Sequence, residues 1–161
     1  MSKVTLHPYQ QKGLNGVFEA MREGFTKILL VLAMGLGKTT LMGRIIQMGF
    51  HKDKKILIVV HRDNLVRQFA DRLREQFDVP SGYILGAEKK NYQMPVQVSS
   101  RQSLARRLQY FPPDHFDLIV IDEAHYAAGA EYEKIIKHFH KAKFVAITAT
   151  PFRADGKSMK A

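Results

Sequence analysis

Cysteine is absent from the 161 residues of this chain. That removes disulfides, cysteine-based zinc sites and thiol catalysis, and it agrees with a reducing compartment. No apolar run approaches the length of a membrane span. The start, Met1-Ser2-Lys3-Val4-Thr5, lacks the apolar core of a secretory leader. Internal repeats and low-complexity tracts are missing too, and the length suits one domain over residues 1–161. Acids are scarce: 15 Asp and Glu face 25 Lys and Arg, for a net charge of +10. A domain this basic often meets a polyanion, although solubility alone explains many such charges. What the chain does have is apolar material, 45% of its residues, enough for a real core.

One stretch organises the rest. Ile28 to Leu32 is an apolar run of strand length, followed by a turn with Gly35 and Gly37, then Lys38-Thr39-Thr40. Leu41, Ile45, Ile46 and Met48 follow at helical spacing. Strand, glycine turn, Lys-Thr and helix is the context a phosphate-binding loop requires. Glycines let the backbone wrap an anion, and the amides of the turn and new helix point at it with the helix dipole behind them. The loop Met34-Gly35-Leu36-Gly37-Lys38-Thr39-Thr40 is therefore the candidate nucleotide cradle. Lys38 would reach the β- and γ-phosphates, and the Thr39 hydroxyl would ligate Mg²⁺. One position departs from GxxxxGK[ST]: Leu32 stands where the pattern has glycine, and Gly35 is the candidate substitute. An ordinary glycine turn with a solvated lysine is the competing reading of this loop alone.

Elsewhere strands and helices alternate. Pro8 opens a helix with apolar positions at Tyr9, Leu14, Val17, Phe18 and Met21, and Gly24 ends it. Gln10, at its start, carries an amide able to read an adenine edge or simply to face solvent. Ile56 to Val60 reads as a buried strand, then His61-Arg62-Asp63 and a helix over 64–77 that Asp63 is expected to cap. Tyr83–Leu85 and Val96–Val98 read as short strands, the second ending in Ser99-Ser100. A helix over 101–110 bears Arg101, Arg106 and Arg107, charges that usually make a solvated face. Leu118 to Ile121 is an apolar strand that ends on Asp122-Glu123. An acid at the end of a core strand is costly unless it meets a cation. Phosphate-loop enzymes use such an Asp to hold Mg²⁺, and Glu123 is then placed to orient or deprotonate the attacking water. A helix near 131–140 and a strand 144–147 ending in Thr148-Ala149-Thr150 complete the pattern. This alternation predicts an α/β fold, a mainly parallel sheet with helices on both faces, with the candidate sites gathered at the strands' carboxyl ends.

At this point the residues resemble a known family. Gly35-Leu36-Gly37-Lys38-Thr39, Asp122-Glu123-Ala124-His125 and Thr148-Ala149-Thr150 look like motifs I, II and III of superfamily 2 helicases of the DEAH-box type. Leu6-His7-Pro8-Tyr9-Gln10 resembles the adenine-reading segment upstream of motif I; Val60-His61-Arg62 and Val98-Ser99-Ser100 resemble the motifs that touch nucleic acid. The ending Thr148-Ala149-Thr150-Pro151-Phe152-Arg153 is similar to the branch of type III restriction subunits and DNA-repair helicases. The resemblance spans about residues 5–157. It implies a RecA-like P-loop NTPase domain using ATP and Mg²⁺. Gln10 would read adenine. Lys38, Asp122 and Glu123 would be catalytic, with Thr39 and Asp122 at the metal. His125, Thr148 and Thr150 would couple nucleotide state to grip. His61, Arg62, Ser99 and Ser100 would touch a nucleic-acid backbone, DNA rather than RNA, without sequence preference.

The resemblance also implies something this chain lacks. The family carries two RecA-like domains with nucleotide between them, and nothing here resembles the second, whose arginines accelerate turnover about 10³–10⁵-fold in related systems. The expectation is the N-terminal half of a larger motor, cytoplasmic or nucleoid-associated, with very slow hydrolysis alone. The alternative is a stand-alone ATP- or single-strand-binding module that needs a partner for turnover. A small-molecule kinase would share the loop but leave Asp122–His125 and Thr148–Thr150 without a task.

Overall fold

The computed structural model describes residues 4–33, 37–86, 91–122 and 129–150. Helix α1 (Pro8–Arg22) starts on its proline, and Gly24 beyond its end takes φ +97°, as expected. Strand β1 (Lys27–Ala33) precedes helix α2 (Lys38–His51), whose N-cap is Gly37. Strand β2 (Ile56–Val60) and helix α3 (Asn64–Phe77) follow, then β3 (Gly82–Ile84) and β4 (Val96–Ser100). Helix α4 (Arg101–Ala105) precedes β5 (Leu118–Asp122), α5 (Ala130–His138) and β6 (Lys143–Thr150).

Helix α4 is half the expected length. The guanidinium of Arg107 folds back to donate to the Ser103 carbonyl at 2.8 Å. Beyond it a single 3-10 turn, Leu108–Tyr110, carries Leu108 into the core ahead of Phe111, both buried. The break falls at Arg107, whose backbone (φ −126°, ψ 16°) leaves the helical region.

All strand pairs are parallel, in the order β1-β6-β5-β2-β4-β3. The last strand is thus inserted between the first and the fifth. The pleat divides the core in two. Ile56, Ile58 and Val60 join Leu41, Ile45, Ile46, Phe69, Leu73 and Phe77 on the face covered by α1, α2 and α3. Leu57 and Val59 join Leu104, Tyr132, Ile135 and Phe139 on the face covered by α4 and α5. Each fully buried Ile, Leu or Phe contributes about 1.5–3 kcal/mol. Among the described residues that second layer stops short of β1, an edge strand on which Leu29 and Val31 are each 43% exposed. Among the described residues no helix is long and apolar enough to cross a membrane.

Several polar groups inside find partners on other elements. Gln47 of α2 is 5% exposed; its amide donates to the Phe77 carbonyl at 2.9 Å and accepts from Arg44 at 2.7 Å. The arginine also reaches the Val4 carbonyl, which ties the N-terminal segment to α2. The Asp117 carboxylate accepts from the Lys55 amide at 2.9 Å, holding together the starts of β2 and β5.

His115 packs edge-on against Phe116 (ring centroids 4.7 Å apart) and Phe111 (5.3 Å). Burial pushes its pKa below the ordinary 6.5; Lys55 pushes the same way and Asp114 opposes. The folded chain therefore resists a proton that the unfolded chain accepts. Stability is full above about pH 6.5 and falls as the pH drops below it. Urea unfolding at about pH 7.5 and 5.5 is expected to show the loss. His115→Phe is expected to flatten the pH dependence. An unchanged slope in that variant would assign the loss to other groups.

Candidate nucleotide and nucleic-acid site

Because every strand is parallel, the carboxyl ends of β1, β6, β5, β2 and β4 share one rim. Lys38 is the first residue of α2, directly after its N-cap Gly37. Asp122 ends β5. Their side chains, 15% and 14% exposed, meet there: Lys38 Nζ lies 2.8 Å from Asp122 Oδ1. The acid at the end of the core strand has its cation, and the pairing joins two residues from opposite ends of the sequence.

Thr39 and Asp122 line the same cavity of about 120 Å³, walled by Val60, Leu65 and Phe69. A hydroxyl and a carboxylate are hard oxygen ligands of the kind Mg²⁺ takes, and Mg²⁺ normally keeps several waters or phosphate oxygens besides. Among the described residues no group of three or more His, Cys, Asp or Glu gathers. An ion at this place would rest on two protein oxygens, with water and phosphate completing the shell.

Gln10 is not a surface glutamine. It is 2% exposed. Its Oε1 accepts from the His7 amide at 2.9 Å, part of a capping box at the start of α1, and its Nε2 donates to the Gly37 carbonyl at 3.1 Å. The same amide thus orders α1 and grips the last turn residue before Lys38. Gly37 itself has φ +74°, and a Cβ there would collide with Gln10 Nε2. Gly37→Ala is expected to weaken binding of a fluorescent ATP analogue about tenfold, through left-handed strain and the displaced Gln10. Circular dichroism is expected to stay unchanged. Wild-type affinity would show that the loop conformation is not required.

The residues proposed for nucleic acid divide. Arg62 is exposed at the end of β2. His61 is half-buried beside Asp122; burial pushes its pKa below 6.5, Asp122 pulls it up, and Arg62, Arg101 and Lys38 push it down. Ser99 and Ser100 are both fully buried. The Ser99 hydroxyl points to the carbonyls of Ile84 (3.1 Å) and Ser100 (2.9 Å). Ser100 caps α4 by accepting from the Ser103 amide at 3.2 Å and donates to the Asp63 carboxylate. As placed, neither serine side chain faces solvent, so of the proposed contacts Arg62 is the exposed one.

Asp63 stands at the N-cap of α3 but makes no side-chain capping bond. The expected cap is corrected: its carboxylate accepts from Ser100 and from the Ser103 hydroxyl (3.2 Å), linking the starts of α3 and α4. Backbone at Asp63 is already helical (φ −58°, ψ −39°), which turns the side chain away from the free amides. Arg101 is the residue the sequence reading undervalued. It lies over the Tyr132 ring at 5.9 Å rather than on a solvated face, and its charge reaches His61. Burial raises the Tyr132 phenol to about 12, against the pull of Arg101. The signal available in the sequence was position: Arg101 directly follows the end of β4, as Arg62 follows β2.

Thr148 is 5% exposed on β6, opposite Val31 of β1, and Ile147 beside it is opposite Asp122 of β5. Thr150 is opposite Ala33 at the end of β1. The threonines therefore run between the strand of the phosphate loop and the strand of the acid. Met34, Gly35, Leu36, Glu123 and His125 lie outside the described residues.

The family model described as "Type III restriction enzyme, res subunit" matches residues 3–153. The chain belongs to that family. It is 34% identical over 165 residues to irc3 of Schizosaccharomyces pombe, a proposed mitochondrial ATP-dependent helicase, covering 96% of this chain and 27% of irc3. It is 31% identical to the type I restriction enzyme EcoAI endonuclease subunit of Escherichia coli, covering 89% of this chain and 19% of that subunit. The SWI2/SNF2 ATPase core of Sulfolobus solfataricus, solved in complex with double-stranded DNA, superposes with a TM-score of 0.77 at 22% identity, covering 94% of this chain and 33% of that one. The fold is accordingly the RecA-like domain of superfamily 2 helicases. The chain spans about a quarter of irc3 and less of the restriction subunit.

Proposed function

We propose that this chain is the ATP-binding, N-terminal RecA-like half of an ATP-dependent nucleic-acid motor that acts on DNA. The observation that carries the reading is the 2.8 Å contact between Lys38 and Asp122, with Thr39 on the same cavity as the acid. A loop lysine beside a strand-end carboxylate is the arrangement that phosphoryl transfer uses. Names of relatives support the larger role: an ATP-dependent helicase, a restriction endonuclease subunit, and an archaeal DNA 3'-5' translocase.

In this reading the Lys38 ammonium holds the cation position of the resting site. With nucleotide bound, Lys38 would exchange Asp122 for the β- and γ-phosphates, and Asp122 and Thr39 would be the residues that hold Mg²⁺, which would supply neutralisation of phosphate charge. Gln10 reads adenine, which requires its amide to share or release the Gly37 carbonyl. Glu123 orients the hydrolytic water. His125, Thr148 and Thr150 relay the change along β6 toward Arg62 and His61, where a nucleic-acid backbone binds. Ser99 and Ser100 contribute by shaping that edge from beneath. A second RecA-like domain completes the site in the full-length protein. The reading keeps the chain with nucleic acid, in the cytoplasm or at the nucleoid; irc3 is named mitochondrial.

The test is ATP hydrolysis by the full-length protein with DNA, with RNA and with neither, over a salt series. DNA is expected to stimulate turnover, with a steep loss as salt rises. Equal rates with and without both polymers would overturn the motor reading.

A further inference from the structure

The opposite edge of the sheet carries a second cavity, of about 670 Å³. Its lining comes from the ends of α1 and α2 and the starts of β5 and β6. All four belong to the amino edge of the strands, so the whole sheet separates this cavity from Lys38 and Asp122. Phe18, Met21, Ile45, Met48 and Leu118 make an apolar floor. Arg22, Lys52, Lys54, Lys141 and Lys143 stand around it, all exposed, against the single carboxylate of Asp117. That carboxylate already accepts from the Lys55 amide.

We propose that this cavity binds an acidic, amphipathic segment of a partner protein, with an apolar side chain inserted between Phe18, Met21 and Met48 and carboxylates on the lysine rim. Three observations favour that occupant. The size lies within the range of specific binding pockets. Two unbranched thioether side chains beside an aromatic ring adapt to an inserted apolar group, as peptide-binding surfaces do. The rim has five cations to one carboxylate, a match for an acidic chain. Single-stranded nucleic acid fits less well, because it binds by stacking bases on open aromatic faces. Here the Lys52 ammonium lies over the Phe18 ring, 5.8 Å from its centre. The site is independent of the nucleotide reading, since neither its residues nor its edge of the sheet is shared.

The experiment titrates this chain with a fluorescent peptide that has leucines on one helical face and glutamates on the other. Saturable binding is expected, with about tenfold weaker affinity in Lys52→Glu/Lys143→Glu. Both lysines are exposed, so the fold should tolerate the change. A control peptide with serine for leucine is expected to bind about tenfold more weakly, since it keeps the charge and loses the inserted group. Binding of a fluorescent ATP analogue should be unaffected by the double variant. The proposal is overturned if the double variant binds the peptide as well as wild type, or if the serine peptide binds equally. It is also overturned if a single-stranded oligonucleotide displaces the peptide and itself loses affinity in the double variant, which would make the site a nucleic-acid contact.

Discussion

Lys38→Ala is expected to reduce ATP turnover by the full-length protein about 10²–10³-fold, the scale of removing a pre-aimed group that stabilises transition-state charge. The substitution does two things, and they can be separated. It removes the only lysine directly following the glycine turn, so the phosphates lose a cation. It also strips Asp122, 14% exposed, of its partner at 2.8 Å. A carboxylate left alone at that depth costs about 1–3 kcal/mol, below the figure for a fully buried pair because some solvent reaches it. The nucleotide-free variant should therefore melt earlier than wild type. Millimolar Mg²⁺ without nucleotide should restore part of that loss, because an ion on Asp122 takes the place of the ammonium. Lys38→Ala/Asp122→Asn should be insensitive to Mg²⁺ and lose less stability than the two single changes together. Retained turnover in Lys38→Ala would remove the loop from the mechanism. A melting temperature indifferent to Mg²⁺ in that variant would remove Asp122 from the metal site while leaving the rest intact.

Gly43→Ala is expected to destabilise the fold by about 1–3 kcal/mol, the usual cost of overpacking a filled core. The direction is not obvious from the sequence. Gly43 is in the middle of α2, and alanine there would gain about 1 kcal/mol of helix propensity. Tertiary packing reverses the sign. A methyl group on Gly43 would run into three ring carbons of Phe77, at the end of α3. Phe77 is fully buried and its carbonyl is held by Gln47, so the ring has little room to retreat. Urea unfolding measures the change. Gly43→Ala combined with Phe77→Leu should lose less than the sum of the single variants, because the smaller side chain makes the space the methyl needs. Additive losses would mean that the two positions are not in conflict.

The elements were legible because their sequences are locally unambiguous. Ile56–Val60 is an uninterrupted β-branched and leucine run, and β2 has those bounds. The 64–77 stripe gave α3 with the same ends. Helix α4 was overread because three arginines and a leucine fit a helix as well as a shorter helix plus a 3-10 turn; the break comes at Arg107, a residue type that does not announce one. Gln10, Ser99 and Asp63 were illegible for a related reason. Each has a polar group whose partner is distant in sequence: Gly37 for Gln10, Ile84 for Ser99, Ser100 and Ser103 for Asp63.

The chain by itself determined the chemistry on offer and the edge at which it would collect. A glycine-bearing segment before Lys38-Thr39, an apolar strand ending in Asp122 and alternating elements place these residues on one edge, since in parallel strands joined by helices every strand-to-helix connection lies at the carboxyl ends. Tertiary structure decided the neighbours. Only the sheet order puts β6 between β1 and β5, bringing Thr148 between the loop strand and the acid strand, and only folding brings Lys38 to 2.8 Å from Asp122. Local patterns specify which face of an element is buried; they carry no record of which strand pairs with which, because that depends on packing between segments far apart in the chain.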